Sequence, residues 1–108
     1  MSEPAGTLIA VRVELTVVSS AAGRTGTETM TTLMRLPAVP REGDWIELAP
    51  GWAASPVGAV IFSSGRVPLV RLRQAKTDDP DRLDEYARLI TAHGWECPGW
   101  KLGGQSSR

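Results

Sequence analysis

The sequence predicts an α+β fold: a five-stranded antiparallel sheet or partly closed small β-barrel with one C-terminal helix. Three observations carry that expectation. Ile9 to Val17 alternates apolar and polar residues at period two. Further short β-branched runs follow, each bounded by Gly, Pro, Asp or Ser. The stretch TDDPDRLDEYARLITAHG then changes to helical spacing behind a capping signal.

The first strand places Ile9, Val11, Val13, Leu15 and Val17 on one face, with Ala10, Arg12, Glu14 and Thr16 on the other. The segment SSAAGRTG, residues 19 to 26, reads as a flexible polar connector, too long for a two-residue hairpin. In the second strand Met30, Thr32, Met34 and Leu36 alternate against Thr29, Thr31, Leu33 and Arg35, with methionine filling the inner face. Pro37 and Pro40 lack the donor a sheet interior needs, so the strand stops there.

After the turn REGD, Trp45 to Leu48 forms a short third strand with Ile46 and Leu48 inward and Trp45 and Glu47 outside or under a loop. Val57 to Ser63 is the fourth strand. Val67 to Gln74 is the fifth, weakened at its start by Pro68. Partial closure is the economical way for such a sheet to hide its edges.

Asp79 is a natural N-cap, Pro80 suits the first helical position, and Asp81 and Asp84 put negative charge near the positive end. Leu83, Tyr86, Ala87 and Ile90 form an apolar stripe with Leu89 at its border. The helix ends by the same logic: His93 favours the negative end, Gly94 supplies a left-handed turn, and Trp95 folds back on Leu89 or Ile90.

With 108 residues, 42% apolar and 22% charged, the chain is expected to be a single domain with its core over about 7 to 96 and a flexible tail over about 101 to 108. Net charge is zero, which argues against a protein whose main work is holding phosphate. A membrane partner is not expected, since Arg12 and Glu14 interrupt the first apolar run far short of the roughly 20 residues a span requires. The N-terminus lacks a basic secretory flank, and one cysteine forms no internal disulfide, so a cytoplasmic location is expected.

Residues 93 to 100, HGWECPGW, hold the only histidine, the only cysteine and two of the four tryptophans. A zinc site needs three or four ligands and a nucleophilic cysteine needs a placed base, so no catalytic residue, metal or cofactor is assigned. The leading expectation is a non-enzymatic protein-interaction or assembly module, partnered by another protein or by copies of itself. It docks through the loop tryptophans Trp52, Trp100 and Trp45 or through a strand edge. Nucleic-acid binding by a basic strand face of Arg66, Arg71, Arg73 and Lys76 is the alternative. A small-ligand carrier or noncatalytic enzyme subunit using the barrel mouth is the third.

Overall fold

A computed structural model describes residues 7 to 21 and 23 to 102. The elements in chain order are β1 (Ile9–Ala21), β2 (Arg24–Leu36), β3 (Trp45–Glu47), β4 (Ala54–Ile61), β5 (Leu69–Leu72), β6 (Ala75–Thr77) and α1 (Pro80–Ala92). The fold is α+β, with a six-stranded mixed sheet ordered β2-β1-β5-β4-β3, β6 beside β5's position on β1, and one C-terminal helix.

The β1 alternation translates directly into burial: Val11, Val13, Leu15 and Val17 are fully buried, as is Met30 on β2. The two strands pair antiparallel in unbroken register from Ile9↔Leu36 to Ala21↔Arg24. Residues 19 to 26 are therefore not a long connector. Their small β-compatible residues extend both strands, only two residues separate Ala21 from Arg24, and Gly23 takes the positive φ of 76° that a tight turn demands.

The all-antiparallel, five-stranded expectation is corrected in three respects. β5 and β6 both run parallel to β1, with Val13↔Val70 and Val18↔Lys76 as representative partners. The expected fifth strand, Val67 to Gln74, becomes β5, and a sixth strand follows at Ala75–Thr77. The sheet does not close, because β2 and β3 occupy opposite ends of the strand order. The physical reason is the path: the β4–β5 hairpin returns to the free edge of β1, where the Arg12 N–H donates to the Pro68 carbonyl at 2.9 Å. Periodicity identifies strands, but it does not identify their partners.

The helix starts as its grammar requires, with the Asp79 carboxylate accepting from the Asp81 N–H and Pro80 at the first position. It buries Leu83, Tyr86 and Leu89, so Leu89 lies at the centre of the packed face rather than at its border. At its end the N–H groups of His93 and Trp95 both donate to the Leu89 carbonyl, at 3.2 and 3.1 Å, with Gly94 at φ 80° between them. Trp95 and Leu102 both join the core cluster, so the packed body runs past residue 96 and reaches Leu102. Residues 103 to 108 of the expected tail lie outside the described residues.

Candidate functional site

β3 is short and sits at the end of the strand order. Its alternation sends Ile46 into the core and turns Trp45 outward, where Trp45 remains 67% exposed. The β3–β4 pairing leaves main-chain groups on the outer edge without a partner among the described residues. The Val57 N–H donates to the Asp44 carbonyl at 2.8 Å, so Asp44 and, two residues on, Ile46 face β4. Trp45 and Glu47, at the intervening positions, turn their N–H and C=O groups away from it.

The other edge follows the same rule. Thr31 donates to and accepts from Glu96, at 2.9 and 2.7 Å, so its main-chain groups face away from β1. In an unbroken register Leu33 and Arg35 must do likewise. Glu96 covers Thr31, and Lys101 donates to the Glu28 carboxylate at 3.3 Å as the chain continues alongside β2. Beyond Thr31, at Leu33 and Arg35, no main-chain partner is present among the described residues.

Trp95 lies between these edges. Its ring is buried, and the indole N–H donates to the Leu48 carbonyl just beyond β3, at 3.0 Å, while its neighbour Glu96 holds β2. A concavity of about 280 Å³ remains beside it, walled by β2 residues including Met34 and Arg35, by Glu47 and Leu48, and by Trp95 and His93. A second, of about 530 Å³, shares Leu36 and Glu47 with the first and reaches Trp45. A third, of about 450 Å³, shares Val39 and Pro40 with the second and ends at Phe62, which is 71% exposed. Trp45 and Phe62 thus mark two parts of one interrupted apolar surface joined through the β2–β3 loop.

The remaining tryptophans are less available. Trp52 packs partly against the core, its ring 6.3 Å from that of Tyr86, over which the Arg82 guanidinium sits at 5.6 Å. Trp100 is also packed against the core, and its indole N–H is enclosed with no hydrogen-bond partner among the described residues. Trp45 is thus the exposed member of the three, whereas Trp52 and Trp100 are partly buried against the core. Phe62 was not among the sequence-based docking residues; its position at the end of an apolar run, just before the SSGR turn, was the available signal.

The basic residues lie on and around β5 and β6, where Arg71 and Arg73 are both exposed at alternate positions beside the buried Val70 and Leu72. Arg71 donates to the Glu14 carboxylate at 2.7 Å, which satisfies its charge locally. Arg66 shares a concavity of about 460 Å³ with Arg12 and with Ile61, Val67 and Leu69. Arg73 lies past β5 and approaches Gly58, whereas Lys76 is carried on β6. Arg12, whose outward position was legible from the alternation, is the cation that accompanies Arg66.

Cys97 is buried, with its Sγ 3.6 Å from Glu28 Oε1. Burial pushes its thiol up from 9.0 to about 11, and the neighbouring Glu28 charge and hydrogen bond act in the same direction. It is protonated at neutral pH and has the character of a packed thiol, the opposite of an activated nucleophile. Among the described residues no group of three or more His, Cys, Asp and Glu side chains is placed to hold a metal ion. None of the described helices is long and apolar enough to cross a membrane. Comparison with known proteins gives no match to any family model, curated protein or solved structure.

Proposed function

We propose that this chain is a protein-interaction or assembly module that docks through the β3 edge and the aromatic surface around Trp45. The observation that carries the reading is the coincidence of an exposed tryptophan, 67% accessible, with an edge strand whose outward main-chain groups have no partner among the described residues. Tryptophan brings a large apolar area and an N–H donor to an interface at small entropic cost, and an open edge supplies directional hydrogen bonds. Phe62 extends the apolar surface, while Trp52 and Trp100 contribute mainly by packing their own loops.

The nucleic-acid reading stands second, since Arg71 is engaged by Glu14 and the remaining cations do not line one groove with an aromatic platform. The test is affinity isolation from the native host combined with measurement of assembly mass. Trp45→Ala is expected to abolish or weaken association while changing stability by less than about 0.5 kcal/mol, as for other exposed positions. Trp52→Ala should lower stability first and association less. Association that is unchanged in Trp45→Ala removes the proposed anchor.

A further inference from the structure

We propose that the open seam between β2 and β3 receives an extended peptide segment of a partner protein as an added strand. The proposal rests on the interaction reading above and assigns the chemistry of the partner at the same site.

Leu33 and Arg35 on one edge and Trp45 and Glu47 on the other turn their N–H and C=O groups outward, and no described residue pairs with them. The strand order makes β2 and β3 antiparallel to each other, and the concavities between them share walls from both edges. A ligand that satisfies both edges must present alternating donors and acceptors on two opposite sides. An extended peptide backbone does so with the residue repeat of a strand, whereas a hydrocarbon or a sugar–phosphate chain does not.

Side chains then define which peptide fits. A residue pointing inward meets Met34, Leu36, Leu48 and Trp95, an apolar wall. A residue pointing outward lies between Arg35 on the β2 rim and Glu47 on the β3 rim, neither of which forms an ion pair among the described residues. The fitting segment therefore alternates apolar inward residues with polar or charged outward ones. Its length is bounded too: Glu96 already occupies Thr31, so the free β2 stretch is Leu33 to Leu36, a span of roughly 13 Å. Such a short contact serves as one element of a larger interface with the Trp45 surface.

The test uses the full chain as bait for phage-displayed random heptapeptides, followed by synthesis of the strongest selected peptide. Amide hydrogen exchange is then measured by NMR with and without that peptide. The expected result is an apolar residue at every second peptide position and slower exchange at the amides of Leu33, Arg35, Trp45 and Glu47. Arg35→Pro deletes an outward N–H without removing a β1 ladder bond and should bind about tenfold more weakly than Arg35→Ala, which removes the same guanidinium but keeps the N–H, the worth of one interface hydrogen bond with its geometry. Exchange measured on the unsubstituted chain keeps the test independent of whether that variant folds. Failure to select an alternating peptide, or binding that leaves those amides unchanged, overturns strand addition. If Trp45→Ala still abolishes native association in that case, the interaction reading survives and only the seam proposal falls; if neither effect is seen, both fall.

Discussion

Along β2 the outer edge is dressed by the chain's own C-terminal segment, with Glu96 paired to Thr31 and Leu102 buried beside Gly26. Along β3 no described residue pairs with the outward groups of Trp45 and Glu47. Each edge is accompanied by a tryptophan, yet Trp95 is 2% exposed and Trp45 is 67% exposed. Residue type does not explain the difference. What separates them is the supply of chain: α1 delivers residues 93 to 102 to the β2 edge, whereas the short connections around β3 return directly to the sheet. An edge left bare in this way is a liability in isolation and an opportunity for a partner.

The comparison breaks most severely if the covering segment is released. Trp95→Ala removes a buried ring and the hydrogen bond to Leu48, and should cost about 3 to 5 kcal/mol in urea-induced unfolding. Trp95→Phe should retain most of the packing and lose about 1 to 2 kcal/mol through the unpaired Leu48 carbonyl. If Trp95→Ala is instead as stable as the parent, Trp95 is not what holds this side together.

Alkaline pH loosens the same segment by a different route. The Cys97 thiol is raised to about 11 in the folded chain from an ordinary 9.0, so the folded state retains a proton that the unfolded chain has released. The associated stability is fully present below about 9 and is lost as pH rises through about 11, amounting to at most roughly 3 kcal/mol. Cys97→Ala should flatten the fall in stability between pH 8.5 and 11 relative to the parent. Identical slopes in urea titrations of the two proteins would assign that fall to other groups.

The covered edge was the more legible one, and the reasons are local. Alternation in Ile9 to Val17 and the capping sequence Asp79–Pro80 each act within a few residues; the first buries Val11 to Val17 as predicted but leaves Ile9, at the strand end, 37% exposed, and the second caps α1 where it predicts. Gly94 and Trp95 likewise signal a helix end that is found, with Trp95 hydrogen-bonded to the Leu89 carbonyl. The parallel contact of β5 with β1 depends on groups about 57 residues apart, such as Val13 and Val70, and no period records it. The seam was hidden for the same reason, since its walls come from β2, β3 and the end of α1. Trp45 was legible as an outward residue, but only the arrangement of the sheet distinguishes it from Trp52, whose neighbour Tyr86 lies in a later element.

A smaller perturbation sharpens the fit of the covering segment without removing it. Gly26 has φ 147°, a conformation unfavourable for residues with a side chain, and a Cβ there would lie 3.4 Å from the Leu102 side chain. That separation is ordinary contact, so the cost of Gly26→Ala comes from the backbone and should be about 1 to 3 kcal/mol. Amide exchange should quicken near Thr31 and Glu96 and remain unchanged at Trp45. An equal increase at both edges would show that the two sides unfold together rather than as separately supported regions.

The smallest effect is expected at Trp100, and its sign is informative. This ring contributes packing to the covered side, but its indole N–H is enclosed without a partner among the described residues. Burying such a donor unpaired opposes folding by about 1 to 3 kcal/mol, offsetting part of what the ring contributes. Trp100→Phe removes the donor together with some apolar area, and those two changes oppose each other. The net change should be within about 1 kcal/mol and can be stabilising, in contrast to the loss expected for Trp95→Phe, where the donor is satisfied. Urea denaturation of the two phenylalanine variants side by side makes the comparison. A loss at Trp100 as large as that at Trp95 would mean that its N–H has a bonding partner in solution, and the covering segment would then be fastened at two indoles instead of one.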